Sequence, residues 1–136
     1  MSFRVDHVGV AVKSIAETRK FYEQLGLKVL REEEVEHEKV NTAFIPCGES
    51  RIELLEATSP ESPVQKFLDK RGEGLHHIAI HVDDISATFE QMKRDGVRFT
   101  SDDIKVGAGG HLYAFVHPAS AGGVLIEIVQ DAISAV

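Results

Sequence analysis

Two histidines and two glutamates recur at matching places along this chain. His7 lies in 5-VDHVGVAV-12 and His77 in 75-LHHIAIHV-82, at an offset of 70 residues. Glu53 lies in 50-SRIELLEA-57 and Glu127 in 123-GVLIEIVQ-130, at an offset of 74. Two imidazoles and two carboxylates make a mixed nitrogen and oxygen set, suited to a divalent metal of intermediate hardness. Four protein ligands with room left for water would suit catalysis. The competing reading is the solvated face of ordinary amphipathic strands. The coincidence occurs twice, at equivalent positions, and that favours the metal.

Strand parity selects these four. Successive side chains on a strand face opposite ways. Ile78, Ile80 and Val82 share one face, which matches the apolar side of a packed helix, and His77, Ala79 and His81 share the other. Val8, Val10 and Val12 likewise oppose His7, Gly9 and Ala11. Ile52 and Leu54 oppose Glu53, and Ile126 and Ile128 oppose Glu127. His7, Glu53, His77 and Glu127 therefore fall on the faces turned from the helices. Gly9 and Ala79 leave space beside the two histidines. His76 falls on the helix side and is not a ligand.

The elements that must position them also repeat. Helical patterns follow at 14-SIAETRKFYEQLG-26 and 84-DISATFEQMKRDG-96. Ser14 with Glu17 reads as a capping box, Asp84 as an N-cap, and Gly26 and Gly96 as C-terminal stops. Strands are expected at 27–35, 39–46 and 50–57 in the first unit. In the second they are expected at 97–101, 111–118 and 123–130. A short helix opens at Ser62-Pro63 in the connection. The fold class is α+β: two tandem βαβββ modules, 3–57 and 75–130, joined by a connecting helix within 60–73. Together they make a single domain over 1–136, with curved mixed sheets around a central metal site.

Composition narrows the function. A formal charge of −7 argues against nucleic acid, because phosphate contacts need clustered Lys and Arg. Cys47 is the single cysteine, which leaves no internal disulfide and fits a reducing compartment. No apolar run has the length of a membrane span, and the strand pattern begins at Phe3 with no signal segment expected. These features read as a cytoplasmic protein with no membrane partner. The glycines of 107-GAGG-110 lack the strand–turn–helix setting of a phosphate loop and read as a loop over the site. His111 and Tyr113 are candidates for substrate contact. His37, His81 and His117 read as structural or surface residues, and the acidic run 32–38 as a solvated strand edge. Lys39, Arg51, Lys66, Lys70, Arg71 and Lys105 are candidates for binding anionic phosphates.

The repeated unit with its His…Glu…His…Glu order resembles the vicinal oxygen chelate superfamily, and within it the methylmalonyl-CoA epimerase family. The resemblance runs through 6-DHVGVAV-12, 62-SPVQKFLDKRGEGLHHIAIHVDDI-85 and 107-GAGGHLYAFVHPASAGGVLIEI-128. It implies metal ligation by His7, Glu53, His77 and Glu127, with cobalt first among Co, Ni, Mn, Zn and Mg. It implies an acyl-CoA substrate, a homodimer, and epimerisation of methylmalonyl-CoA by α-proton abstraction through an enolate. Some bacterial members use a third-strand glutamate as one of two bases. Ungapped alignment puts Thr42 there, with Glu36 and Glu38 nearby in sequence. The two bases then fall to Glu127 and Glu53. Glyoxalase I, another metalloenzyme of this fold, and a metal-free binding protein are the alternatives.

Overall fold

The structure, a computed structural model, describes residues 3–131. The chain divides into two compact units. One comprises His7–His76; the other joins the N-terminal residues through Asp6 to the segment from His77 onward.

The first module has the strands β1 (Arg4–Ala11, in the His7–His76 unit from His7 onward), β2 (Arg31–Val35), β3 (Val40–Cys47) and β4 (Ser50–Ala57). The helices are α1 (Ile15–Leu25) and α2 (Pro63–Arg71). Strand order is β2-β3-β4-β1, antiparallel except for the parallel β1–β4 pair. The helix α1 starts where the sequence says it should. Ser14 adopts an extended conformation and its side chain accepts from the Glu17 N–H, while Gly26 closes the helix at φ 109°. Glu56 adds an anchor, its Oε1 accepting from the Ile15 N–H at 2.6 Å. Under α1 lies a core of Val12, Ile15, Ala43, Ile45 and Leu54. A separate cluster of Ala11, Val40, Leu55 and Val64 lies under α2.

The second module repeats the plan with β5 (Gly74–His81), α3 (Ile85–Arg94), β6 (Lys105–Val106), β7 (Leu112–Val116) and β8 (Ile126–Gln130). Strand order is β5-β8-β7-β6, with β5 and β8 parallel. Asp84 caps α3 by accepting from the Ala87 N–H. Gln130 takes the part of Glu56, accepting from the Ile85 N–H at 2.8 Å. Val82, Ile85, Phe89, Ala114 and Ile128 form the core beneath α3. Ala79, Tyr113 and Val129 form a smaller cluster on the opposite face.

One expected element is not a strand. The stretch 97–101 makes only a bridge between Phe99 and Val116. Phe99 instead packs on Phe89, with ring centroids 4.4 Å apart. Beyond Thr100 the chain bends through 101–103 and rejoins the sheet at β6. The equivalent stretch of the first module, 27–30, is likewise outside the strand, and the expected strand 27–35 is formed only as β2. Elsewhere the expected strands are present with frayed ends, β2 beginning at Arg31 and β8 at Ile126.

Candidate metal centre

The four residues selected by parity are all buried: His7 at 3%, Glu53 at 7%, His77 at 6% and Glu127 at 4% exposure. Burying a carboxylate costs several kcal/mol unless a partner compensates it. In each unit the partner is the expected histidine. His7 Nδ1 stands 3.1 Å from Glu53 Oε2, and His77 Nε2 stands 3.0 Å from Glu127 Oε1.

The ladders explain why each pair meets. On one side Glu53 faces Gly9 across the parallel β1–β4 ladder, and on the other it faces Phe44 across β3–β4. Glu127 faces Ala79 across β5–β8 and Phe115 across β7–β8. A small residue on one flank makes room for the carboxylate. An aromatic ring on the other shields it from water. The Phe115 ring also packs edge-on against His77, at 5.2 Å between centroids. The pairing of imidazole nitrogen with carboxylate oxygen, twice over, offers four donors of the types an intermediate divalent ion takes.

The surroundings of the two pairs differ. Arg51 shares a face of β4 with Glu53, and its Nε donates to Glu53 Oε2 at 2.8 Å. Arg31 lies over the Phe44 ring at 3.9 Å and donates to Glu33 Oε1 at 2.7 Å. Arg51, a candidate phosphate ligand by sequence, is therefore set on the Glu53 carboxylate. The signal for this is legible, since residues i and i+2 on a strand share a face. In the other unit the flanking residues are aromatic. His111, Tyr113 and Phe115 form a row along β7, with centroids 5.6 and 5.7 Å apart. The His111 ring lies against Gly107, where an added Cβ would come within 2.6 Å of Cε1. A side chain at 107 would have to displace the tip of the His111 ring.

The remaining candidates separate cleanly. His76 is half-buried and packs edge-on to Phe67 at 5.0 Å. His117 Nδ1 accepts from the Ala119 N–H at 3.0 Å, a structural role. His37 and Cys47 are exposed. His81 is buried at 8% exposure, the structural of the two roles open to it from sequence. Thr42 is buried on β3, opposite Glu33 on β2 and Leu55 on β4. Glu36 and Glu38 lie beyond the end of β2 in a 3-10 turn, off the strand register that would present them beside Thr42. Lys39 is held by Glu61 at 2.8 Å, and this ion pair holds the Glu61 carboxyl below the usual carboxylate range.

Residues 6–115 match the model of the glyoxalase/bleomycin resistance protein/dioxygenase superfamily. The mitochondrial methylmalonyl-CoA epimerase of Mus musculus is 37% identical over 93% of this chain and 72% of its own length. An ethylmalonyl-CoA/methylmalonyl-CoA epimerase of Cereibacter sphaeroides is 34% identical over 93% of this chain and 97% of its own. The structure of a Streptomyces coelicolor methylmalonyl-CoA epimerase variant in complex with 2-nitronate-propionyl-CoA superposes with a TM-score of 0.90 at 35% identity, covering 96% of this chain and 98% of that one. The repeated strand–helix–strand plan, the twin histidine–glutamate pairs and these matches agree: the chain belongs to the glyoxalase/bleomycin resistance/dioxygenase superfamily, the vicinal oxygen chelate group, with methylmalonyl-CoA epimerases among its relatives.

Proposed function

We propose that the protein is a methylmalonyl-CoA epimerase, an isomerase that interconverts the (2R) and (2S) forms. The observation that carries this reading is the buried His–Glu pair found in each unit, at 3.1 Å and 3.0 Å. His7, Glu53, His77 and Glu127 together are the ligands of one divalent ion in this proposal, with cobalt the first choice. When bound, that ion supplies Lewis-acid stabilisation of enolate charge, an effect of several kcal/mol.

The substrate has one C–H flanked by a thioester carbonyl and a carboxylate. Inversion needs a proton taken from one side of that carbon and returned on the other. Glu127 and Glu53, one from each module, are the groups assigned to take and return it. Each such transfer is worth roughly 10²–10⁴-fold in rate. Gly9 and Ala79 leave the space a substrate needs beside the carboxylates. Phe44 and Phe115, opposite Glu53 and Glu127 in the ladders, would limit the access of water to the reacting carbon. In this reading the protein works in the cytoplasm as a homodimer with a small acyl-CoA partner. No helix among the described residues is long and apolar enough to cross a membrane.

The test is solvent exchange. Metal-loaded protein in D₂O is expected to exchange the α-proton of methylmalonyl-CoA with no other cofactor, to lose this with a chelator, and to regain it with Co²⁺. Protein that leaves methylmalonyl-CoA unexchanged but isomerises the methylglyoxal–glutathione adduct would be a glyoxalase I instead.

A further inference from the structure

The unit that joins the N-terminal residues to the second module holds a further group of metal-ligand side chains. Asp6 lies on β1, His81 ends β5, and Asp131 follows β8. One ring nitrogen of His81 and one oxygen from each aspartate lie within 4.8 Å of one another. The strand register explains the approach of two of them. His81 pairs with Val129 across the parallel β5–β8 ladder. Asp131 stands two residues further on, where the alternation of a strand returns to the same face.

Three observations set this group apart from a solvated acidic cluster. First, it is largely buried: Asp6 is 4% exposed and His81 8%. Second, the His81 Nδ1 is buried and has no hydrogen-bond partner. Nearly all buried polar atoms in folded proteins have one, so an orphan calls for a cause. Its Nε2 lies 3.5 Å from Asp83, which leaves Nδ1 as the unspent atom. Third, the neighbouring arginine is a loose counter-ion. Arg4 Nη2 lies 3.7 Å from Asp6 Oδ1 and 3.5 Å from Asp131 Oδ2. A formed charge-assisted N–H···O bond is about 2.7–2.9 Å. Arg4 spans both carboxylates at long range, with a 3.5 Å hydrogen bond to Asp131, and its side chain is 38% exposed, so it can swing into solvent.

We propose that Asp6, His81 and Asp131 form a second divalent-cation site, distinct from the His77–Glu127 pair and adjoining the His7–Glu53 pair through Asp6, whose carboxylate also lies within 4.8 Å of ligand atoms of His7 and Glu53. One imidazole and two carboxylates suit an ion of intermediate hardness, such as Co, Mn or Zn. The exposed side of Asp131 gives the ion an entry path and room for water ligands. Binding displaces Arg4. The bound ion ties the start of β1 to the ends of β5 and β8, and it stabilises this unit increasingly as its concentration rises above its dissociation constant.

The experiment is a titration of chelator-treated protein with Co²⁺ alone, read by calorimetry and by metal analysis after dialysis. Wild-type protein is expected to take up two equivalents per chain. Asp131→Asn, at an exposed position with little bearing on folding, is expected to lose one of them. His77→Ala should keep the equivalent that Asp131→Asn loses, and the double variant should bind none. Arg4→Ala gives the decisive sign. A competing counter-ion predicts that its removal tightens the second binding event, whereas a purely structural ion pair predicts no change in Co²⁺ affinity. The proposal is overturned if His77→Ala protein binds no Co²⁺, if Asp131→Asn binds as much as wild type, or if Arg4→Ala leaves the second affinity unchanged or weaker.

Discussion

Arg51 and Glu53 sit two residues apart on the same face of β4, and the Arg51 Nε donates to Glu53 Oε2 at 2.8 Å. The position equivalent to Arg51 in the second module is Leu125. An arginine beside one ligand carboxylate competes with any cation that this carboxylate binds. The Arg51 side chain is about a third exposed, at 34%, so solvent screens the pair and its worth is small. Arg51→Leu is therefore expected to tighten metal binding by only a few-fold, measured by competition with a coloured chelator. Weaker binding in the variant would show that Arg51 holds Glu53 in place for the ion rather than competing with it.

The two glutamates are separable by amide substitution. Glu127→Gln should lose at least about 10²-fold in turnover even with metal restored, because an amide cannot accept the α-proton. Glu53→Gln asks whether that residue also moves a proton. A comparable loss is the expected result. Full activity in Glu53→Gln would reduce Glu53 to a ligand and leave inversion with a single protein carboxylate among the four ligand positions.

Adjacent histidines provide a test of parity. His77 meets Glu127 at 3.0 Å, whereas His76 packs on Phe67. His77→Ala should abolish tight metal binding at the His–Glu pairs together with proton exchange. His76→Ala should keep the metal and cost stability through the lost ring contact, roughly 0.5–1.5 kcal/mol. Equal metal loss in the two variants would contradict the assignment of faces.

Ser62 tests a structural role. Its side chain is fully buried, accepts from the Val64 N–H at 3.2 Å at the start of α2, and donates to the Glu38 carbonyl at 3.4 Å. Ser62→Ala leaves a helix N–H without its cap and is expected to cost about 1 kcal/mol. The measurement is thermal or urea unfolding, with metal affinity as the control that should not move.

What the sequence makes legible is local chemistry. Ser14, Asp84, Gly26 and Ser62 each carry a cap that depends on a few neighbouring atoms, and each is found in that role or at that helix end. The His7–Glu53 and His77–Glu127 pairs are legible because alternation fixes a face, and a repeated module applies the same rule twice. The break at 97–101 is not legible. Nothing in Val97–Ser101 lacks strand character; the bend is set by Phe99 packing on Phe89 and by the turn through Ser101–Asp103. The burial of His81 escapes the sequence for a similar reason. Parity places it on the same face as His77, but only the pairing of β5 with β8 and the position of Asp6 set what covers it.

The boundary between the compact units does not follow the repeat. The modules divide at the connecting helix, yet Arg4–Asp6 belongs with the segment from His77 onward, and β1 runs across the division. A gene cut in the α2 connection would therefore yield two fragments that each lack part of the other's architecture. The N-terminal fragment would carry a strand end whose partners are elsewhere, and the C-terminal fragment would miss the residues that complete its unit. Such halves should be poorly folded apart and recover structure when mixed. This makes the chain a natural candidate for split-protein complementation, and it makes Arg4–Asp6, which look dispensable beside an intact second module, a place where a substitution does damage at a distance in sequence.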